Sequence, residues 1–406
     1  MSNQPLNILC ISRFFKGGDF IKGAKAEGNN VFLLTSKKLE HSDWPWESID
    51  DTFYMVEDEH GMWNHDHLIG GLAHKMRNTK FDIFAALDDF DVEHVAFLRE
   101  YFRIPGMGET TARYFRDKLA MRIKAQSEGV AVPEFTALFH DADIHDFTSR
   151  VSAPWLVKPR MQASAAGIKK IYNTDDLWAH LNYLGGERHE YLMEKFAPGA
   201  VYHVDALTTE GKVVFARTSQ YLDTPFEVAH SGGIFRSVTL ELGCEEDVSL
   251  QKLNEHVMNA FGMQYSASHS EFIKCIEDGK YYFLETASRV GGANLAEMVE
   301  IASGVNLWSE WARVEIAAIR KAKYKLPKIR KDQGGIIVSL SRFKNPDNSS
   351  FQDKEIVWRM EKEHHIGLIL LSKDRDKILL LLDKYAERIK NEFHASAPAK
   401  EKLVGE

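Results

Sequence analysis

Cysteine is scarce in this chain: Cys10, Cys244 and Cys275 are far apart, and no CxxC pair occurs. That spacing argues against a disulfide framework and against structural zinc. The apolar runs around Cys10 and Cys275 predict buried thiols. Long hydrophobic runs are also missing. No stretch approaches the roughly 20 apolar residues of a membrane span. The N-terminus lacks a basic region followed by an apolar core, so no secretion signal is read. A cytoplasmic protein without membrane contact is the expectation. Positive charge is not in excess either. The formal net charge is −8, which removes the electrostatic case for nucleic acid as a main partner. Internal repeats and low-complexity tracts are absent. The early Lys16-Gly17-Gly18-Asp19 is not a GxGxxG fingerprint, so no dinucleotide is placed there.

What is present suits a soluble globular protein with a real core: 44% apolar and 27% charged residues. At 406 residues the chain has room for two or three domains. The first hundred residues alternate strand signals (Leu6–Ser12, Val31–Thr35, Phe81–Leu87) with helix signals (His67–Met76, Val92–Phe102). That order predicts a parallel sheet with covering helices. Asp88, Asp89 and Asp91 follow a strand end and read as a turn of solvated acids. Pro105-Gly106 ends this unit, and one long helix is predicted from about Thr110 to Glu128. A β-rich region follows Pro133, with strands at Trp155–Lys158, Ile168–Tyr172, Tyr191–Lys195, Tyr202–Thr208 and Val213–Ser219. Helices are predicted at Asn294–Ala302 and from Trp308 to about Ala322. The basic segment Lys321–Lys331 reads as an exposed connector. A last unit carries strands at Gly335–Ser341 and Ile366–Leu371 and a leucine-rich helix from Asp374 to about Phe393. The tail after Ala395 is expected to fray.

The most informative stretch is Ser270 to Gly292, SEFIKCIEDGKYYFLETASRVGG. Two apolar runs flank Glu277-Asp278-Gly279, which predicts a hairpin with Gly279 in the left-handed position. Pairing Ile276 with Lys280 sets Glu271 directly opposite Glu285. Like charges facing each other in a sheet are destabilising, and a hard divalent cation between them removes the conflict. Magnesium carrying nucleotide phosphates typically takes one or two protein carboxylates. Arg289 falls on the same face if the strand runs on.

Further features lie upstream. Arg113, Arg116 and Lys118 gather cations on a helix. Lys158 ends the apolar strand Trp155–Lys158, where a half-buried ammonium needs an anion. The small residues Ala163-Ser164-Ala165-Ala166-Gly167 form a loop whose backbone N–H groups can cradle phosphate. Glu194-Lys195-Phe196 leads into Pro198-Gly199, a strand break that can offer hydrogen-bonding groups to a flat heterocycle, with Glu194 receiving an exocyclic amine.

In order and spacing these pieces resemble the ATP-grasp superfamily, nearest its carboxylate–amine ligases and biotin carboxylase-like enzymes. The resemblance covers roughly Arg113 to Trp308. It implies an α/β fold, α+β in its central part. The implied division is an N-terminal parallel α/β domain over 1–110, ATP-grasp domains over 111–325 (small lobe about 125–195), and a C-terminal α+β lobe over 326–406. Lys118 and Lys158 then correspond to lysines on the ATP phosphates. Ala163, Ser164 and Gly167 belong to the phosphate-covering loop. Glu194, Lys195 and Phe196 read adenine, and Glu271 and Glu285 hold Mg2+, with Mn2+ as a substitute. Arg289 steadies the acyl phosphate. Two positions depart from the family pattern. Val201 stands where many members carry a ribose-binding glutamate, which passes ribose to His203 or Asp205. Ala287 stands where many carry a metal-binding asparagine.

The implied chemistry is phosphorylation of a small carboxylate by ATP and capture of the acyl phosphate by an amine. Substrate candidates are Glu227, His230, Gly232 and Gly233, together with Arg289 and Gly292 before a helix start. An amino acid is the expected substrate. Bicarbonate activation and a non-catalytic ATP-binding regulator stay open as alternatives, as does homo-oligomerisation. Glu363-His364-His365 is not read as a metal site, because neighbours along a strand face opposite ways.

Overall fold

The computed structural model describes residues 4–59 and 61–397; the tail expected to fray lies mostly outside the described residues, beyond residue 397. The chain opens with β1 (Asn7–Ser12), α1 (Gly18–Ala26), β2 (Asn30–Ser36), β3 (Asp51–Met55), α2 (His65–Lys75), β4 (Ile83–Ala86) and α3 (Val92–Phe102). The strands form a parallel sheet in the order β3-β2-β1-β4. Parallel strands are covered on both faces and so read as apolar runs; in β1, Leu9, Cys10 and Ile11 are wholly buried. The order reverses beside β1. Open α/β sheets bind ligands in the crevice outside the carboxyl ends of the strands at such a point.

The long helix expected from Thr110 to Glu128 is two helices, α4 (Glu109–Arg113) and α5 (Lys118–Ser127). The break is chemical. Asp117 takes an extended backbone, and its carboxylate accepts the amides of Leu119 and Ala120 at 2.9 and 3.4 Å as an N-cap. Lys118 therefore opens a helix rather than sitting inside one.

A small four-stranded antiparallel sheet follows. Its elements are β5 (Phe135–Ala137), α6 (Asp141–Arg150), β6 (Trp155–Pro159), β7 (Lys169–Ile171), α7 (Thr174–Leu184) and β8 (Tyr191–Lys195), with strand order β5-β8-β6-β7. Next come β9 (Gly199–Thr209), β10 (Lys212–Tyr221), α8 (Pro225–Ser231), β11 (Phe235–Thr239), α9 (Glu245–Phe261), β12 (Ser266–Cys275), β13 (Tyr281–Ala287), α10 (Leu295–Ser303) and α11 (Leu307–Arg320). The chain ends in β14 (Gln333–Leu340), β15 (Ile356–Arg359), β16 (His365–Ser372) and α12 (Arg375–Glu392).

Strands β9–β16 form one eight-stranded sheet in the order β13-β12-β9-β10-β11-β14-β16-β15. The last three strands thus continue the central sheet through the β11–β14 pairing. The mixed α/β expectation is borne out. The N-terminal unit docks on α11, where Phe20 meets Trp311 edge-on with ring centroids 4.9 Å apart. Gly23 of α1 permits that approach: a Cβ there would lie 2.8 Å from the Ser309 Cα. This docking brings the carboxyl ends of β1 and β4 toward β13.

Candidate active site

Strands β9, β12 and β13 carry the centre of the site. Glu271 pairs with Glu285, as expected, and on its other side with His203. The register reaches that pairing by a different route. Near the turn Lys274 faces Tyr281, one step from the expected alignment, and Gly279 sits at φ +71°. A bulge then places Leu284 as an extra residue, because Phe272 faces Phe283 while Glu271 faces Glu285. Arg122, wholly buried on α5, donates from Nη1 to the carbonyl of that bulged Leu284. The sequence reading missed Arg122. Its signal was the i, i+4 spacing from Lys118 on one helix face.

Lys118 Nζ lies 2.8 Å from Glu285 Oε2 and donates to the Gln162 carbonyl at 2.6 Å. Arg116 donates to the Met161 carbonyl beside it. The α4–α5 break thereby holds the start of the 163–167 loop, in which Ser164, Ala165 and Gly167 all take left-handed backbone at φ 55°, 56° and 68°. Non-glycine residues in that region cost energy and cluster at ligand sites.

Lys158 pairs with Glu194, and Arg122 Nε donates to the other Glu194 oxygen at 3.0 Å. Burial pushes the Lys158 ammonium down to about 8, with Glu194 pulling the other way. Burial also pushes the Glu194 carboxyl up, but Arg122 and Lys158 outweigh it and hold that group below the ordinary range. Both side-chain oxygens of Glu194 are thus engaged within the protein, and 2% of the residue is exposed. The Lys195 and Phe196 amides donate to the carbonyls of Glu134 and Pro154. Lys195 reaches Glu277 at 3.3 Å, and Lys170 Nζ covers the Phe196 ring at 3.4 Å.

Glu285 is the hub. Desolvation raises its carboxyl, but Lys118 and Lys158 more than offset this, with Asp89 acting in the opposite sense. Arg289 also lies within electrostatic reach of Glu285. Strand β13 ends at Ala287, so Arg289 turns out of the ladder. Its Nη2 meets Asp89 Oδ2 at 3.3 Å, and its Nη1 donates to the Val290 carbonyl at 2.9 Å. Asp88, Asp89 and Asp91 are therefore not solvated. All three are buried, with Asp88 on Lys16 at 2.5 Å and Asp91 on Arg13 at 3.0 Å.

Behind Glu271 stands a buried ladder. Tyr221 donates to Glu271 Oε1 at 2.8 Å, and His269 Nε2 lies 3.6 Å from the same oxygen. Asp205 bridges His269 and His203 at 2.8 and 2.7 Å, and His203 Nε2 meets the Ser237 hydroxyl at 2.8 Å. Burial pulls the His269 imidazole down, but Asp205 and Glu271 push it up to about 9. His203, expected at ribose, is wholly buried and both its ring nitrogens are engaged. The Asp205 carboxylate is likewise buried and bonded to both histidines.

Among the substrate candidates, Glu227 caps its own helix, accepting the Thr224 amide at 3.1 Å and hydroxyl at 2.8 Å. His230 links the Phe226 and Ile168 carbonyls, each at 2.9 Å, and so ties α8 to the segment just after the 163–167 loop. Gly232 ends α8 at φ +63° against Ser396, and Gly233 follows. Gly292 is exposed, with nothing within 4 Å of where its Cβ would be. The structure therefore brings together Lys118, Lys158, Glu271, Glu285 and Arg289. It leaves Lys195, Glu227 and His230 in local contacts of their own.

Two opposed carboxylates on a sheet face suit a hard divalent cation with oxygen ligands. The surrounding lysines and arginine suit phosphate. Asp205, His203 and Ser237 line up as a carboxylate–imidazole–hydroxyl chain, but all three are wholly buried, so the hydroxyl is closed to a substrate.

No protein-family model matches the chain. Over 242 residues it is 27% identical to an L-arginine-specific L-amino acid ligase of Bacillus subtilis, covering 58% of each chain. Over 182 residues it is 25% identical to a D-alanine–D-alanine ligase of Neisseria meningitidis, covering 44% of this chain and 59% of that one. The chain thus spans somewhat under two thirds of the curated relatives it matches. Among solved structures, the L-amino acid ligase from Bacillus licheniformis superposes with a TM-score of 0.75 at 16% identity, over 97% of this chain and 99% of that one.

Proposed function

We propose that this chain, which has the ATP-grasp fold and ligases among its relatives, is an ATP-dependent carboxylate–amine ligase working through an acyl phosphate. The observation that carries the proposal is the convergence on Glu285. Lys118 meets that carboxylate at 2.8 Å, and Lys158 and Arg289, from two other segments, lie within electrostatic reach of it. A cluster of that kind neutralises migrating phosphoryl charge, and phosphoryl transfer asks little else of a protein.

Glu271 and Glu285 would hold Mg2+, which supplies charge neutralisation on the nucleotide phosphates. Lys158 and Lys118 then meet phosphate oxygens. The backbone of the 163–167 loop covers them and excludes water that would hydrolyse an acyl phosphate. A substrate carboxylate beside Arg289 attacks the γ-phosphorus, and ADP leaves. An amine then attacks the acyl carbon, and inorganic phosphate departs as the amide forms. The guanidinium of Arg289 stays charged throughout, so it stabilises each anionic stage without a proton transfer. The relatives' names support an amino acid as one substrate.

Phosphate release from Mg–ATP, measured across amino acids, other small carboxylates and bicarbonate, tests the reading. Amino-acid-dependent release supports it. Release with bicarbonate alone would replace it with carboxylation, and ATP binding without release under any addition would leave a regulatory protein.

The Lys158 environment adds a pH signature. The free protein carries its Lys158 charge below about 8 and loses it above. The value of kcat/KM for ATP, which reports free-enzyme ionisations, is therefore expected to fall as pH rises through about 8. In Lys158→Arg that alkaline limb should vanish, since a guanidinium stays protonated. An unchanged limb in the variant would assign it to another group.

A further inference from the structure

The two oxygens of Glu271 are not equivalent. Tyr221 donates to Oε1 at 2.8 Å, and His269 Nε2 stands 3.6 Å from the same atom. Oε2 makes no hydrogen bond among the described residues. The Tyr221 hydroxyl is held where it is. Tyr221 ends β10 and is 6% exposed, with its ring tilted over His203 at a centroid distance of 4.7 Å and edge-on to Phe235 at 5.7 Å. His203 is fixed in turn by Asp205 and Ser237. His203, Asp205 and His269 come close enough together to ligate a metal of their own. Asp205, however, gives one oxygen to each imidazole at 2.7 and 2.8 Å, which are hydrogen-bond distances, so both its oxygens are engaged. The trio is a strut behind Glu271, not an ion site.

We propose that Tyr221 is a positioning residue for the divalent cation: by holding Oε1 it leaves Glu271 a single oxygen to offer, and so favours magnesium over calcium. The proposal rests on the metal–nucleotide reading of the site and adds the residue that decides which cation fits. Calcium takes about six to eight oxygens and often both from one carboxylate, whereas magnesium takes about six, one or two of them from carboxylates and the rest from phosphates and water. A pinned carboxylate with one free oxygen meets the second demand and not the first. Glu285 is tied in a similar way, with Oε2 on Lys118 at 2.8 Å. Partners that orient a ligating side chain typically change metal affinity by about 10–100-fold when they are removed. Without the Tyr221 hydroxyl, Glu271 is free to turn and present both oxygens.

The test reads binding rather than turnover, by calorimetry on the full chain with Mg–ADP, Ca–ADP and, in the presence of EDTA, metal-free ADP. Wild-type protein should bind Mg–ADP about tenfold or more tighter than Ca–ADP. Tyr221→Phe should weaken Mg–ADP about tenfold and bring the two metal complexes within about threefold of each other, with metal-free ADP unchanged. A wild type that binds Ca–ADP as tightly as Mg–ADP would overturn the proposal, and that result needs no variant to fold. So would a Tyr221→Phe protein that keeps the wild-type preference, or one that weakens all three ligands in equal proportion, since Tyr221 would then only support the fold. If no form of ADP binds, the ligase reading falls, and Mn2+ alone, followed by the loss of its free EPR signal, decides the proposal separately. Binding weakened about tenfold in Tyr221→Phe keeps the positioning role; binding that is equal in both proteins, or absent from both, removes it.

Discussion

Glu285→Gln is expected to lower ATP-dependent turnover by about three orders of magnitude or more while leaving the protein folded. The substitution keeps shape and removes one charge. Three cations act on that carboxylate, and it faces Glu271 across the ladder. The amide can neither balance Lys118 nor ligate a hard cation well. Stability should change little, for two reasons. A third of the Glu285 side chain is exposed, and Lys118, though only 11% exposed, keeps the Gln162 carbonyl at 2.6 Å as a partner. The Glu271–Glu285 repulsion is also relieved. Phosphate release and a thermal melt on the same sample check both halves. A near-wild-type rate would refute the metal assignment, and an unfolded variant would show that Glu285 is structural.

Glu194→Gln should behave in the opposite way, acting first on stability. Its carboxylate lies between Lys158 and Arg122, with side-chain exposures of 2%, 7% and 0% respectively. Removing it strands two buried cations. Breaking a buried pair of this sort costs about 3–5 kcal/mol. The next residue provides a control. Lys195 is 38% exposed and pairs with Glu277 at 3.3 Å, so Lys195→Ala should cost about 0–1 kcal/mol. Denaturant unfolding of the full chain, followed by circular dichroism, separates the two. Equal stability of both variants would mean that water reaches Lys158 and Arg122.

The fold and the facing glutamates were readable in the sequence because they rest on short-range pattern. Parallel strands such as β1 announce themselves as apolar runs, and α3 begins and ends where its periodicity does. The Glu271–Glu285 pairing was reached correctly although the turn is offset by one residue. The bulge at Leu284 restores the alignment, and no local rule predicts a bulge from apolar residues. The cap at Asp117 was locally visible, yet the surrounding helix formers masked it. Helix α9, 17 residues long, was not anticipated; its acidic first turn and Gly262 stop were present in the sequence. What could not be read were contacts across the fold. Arg289 meets Asp89, Arg122 reaches Leu284, and Asp205 is bonded to two histidines. The acids after β4 look like a polar turn until Lys16 and Arg13 of the same unit close on Asp88 and Asp91 and Arg289 meets Asp89. The same limit explains His203 and Glu194: strand position gave the face each occupies, but not the partners already there.

The most direct measurement follows oxygen. An active carboxylate substrate labelled with 18O in both carboxylate positions is incubated with Mg–ATP and the amine, and the released phosphate is examined by 31P NMR. Attack of that carboxylate on the γ-phosphorus predicts one 18O atom in each phosphate formed, with ADP as the other nucleotide product. Unlabelled phosphate, or AMP with pyrophosphate, would contradict an acyl-phosphate ligase built around Glu285.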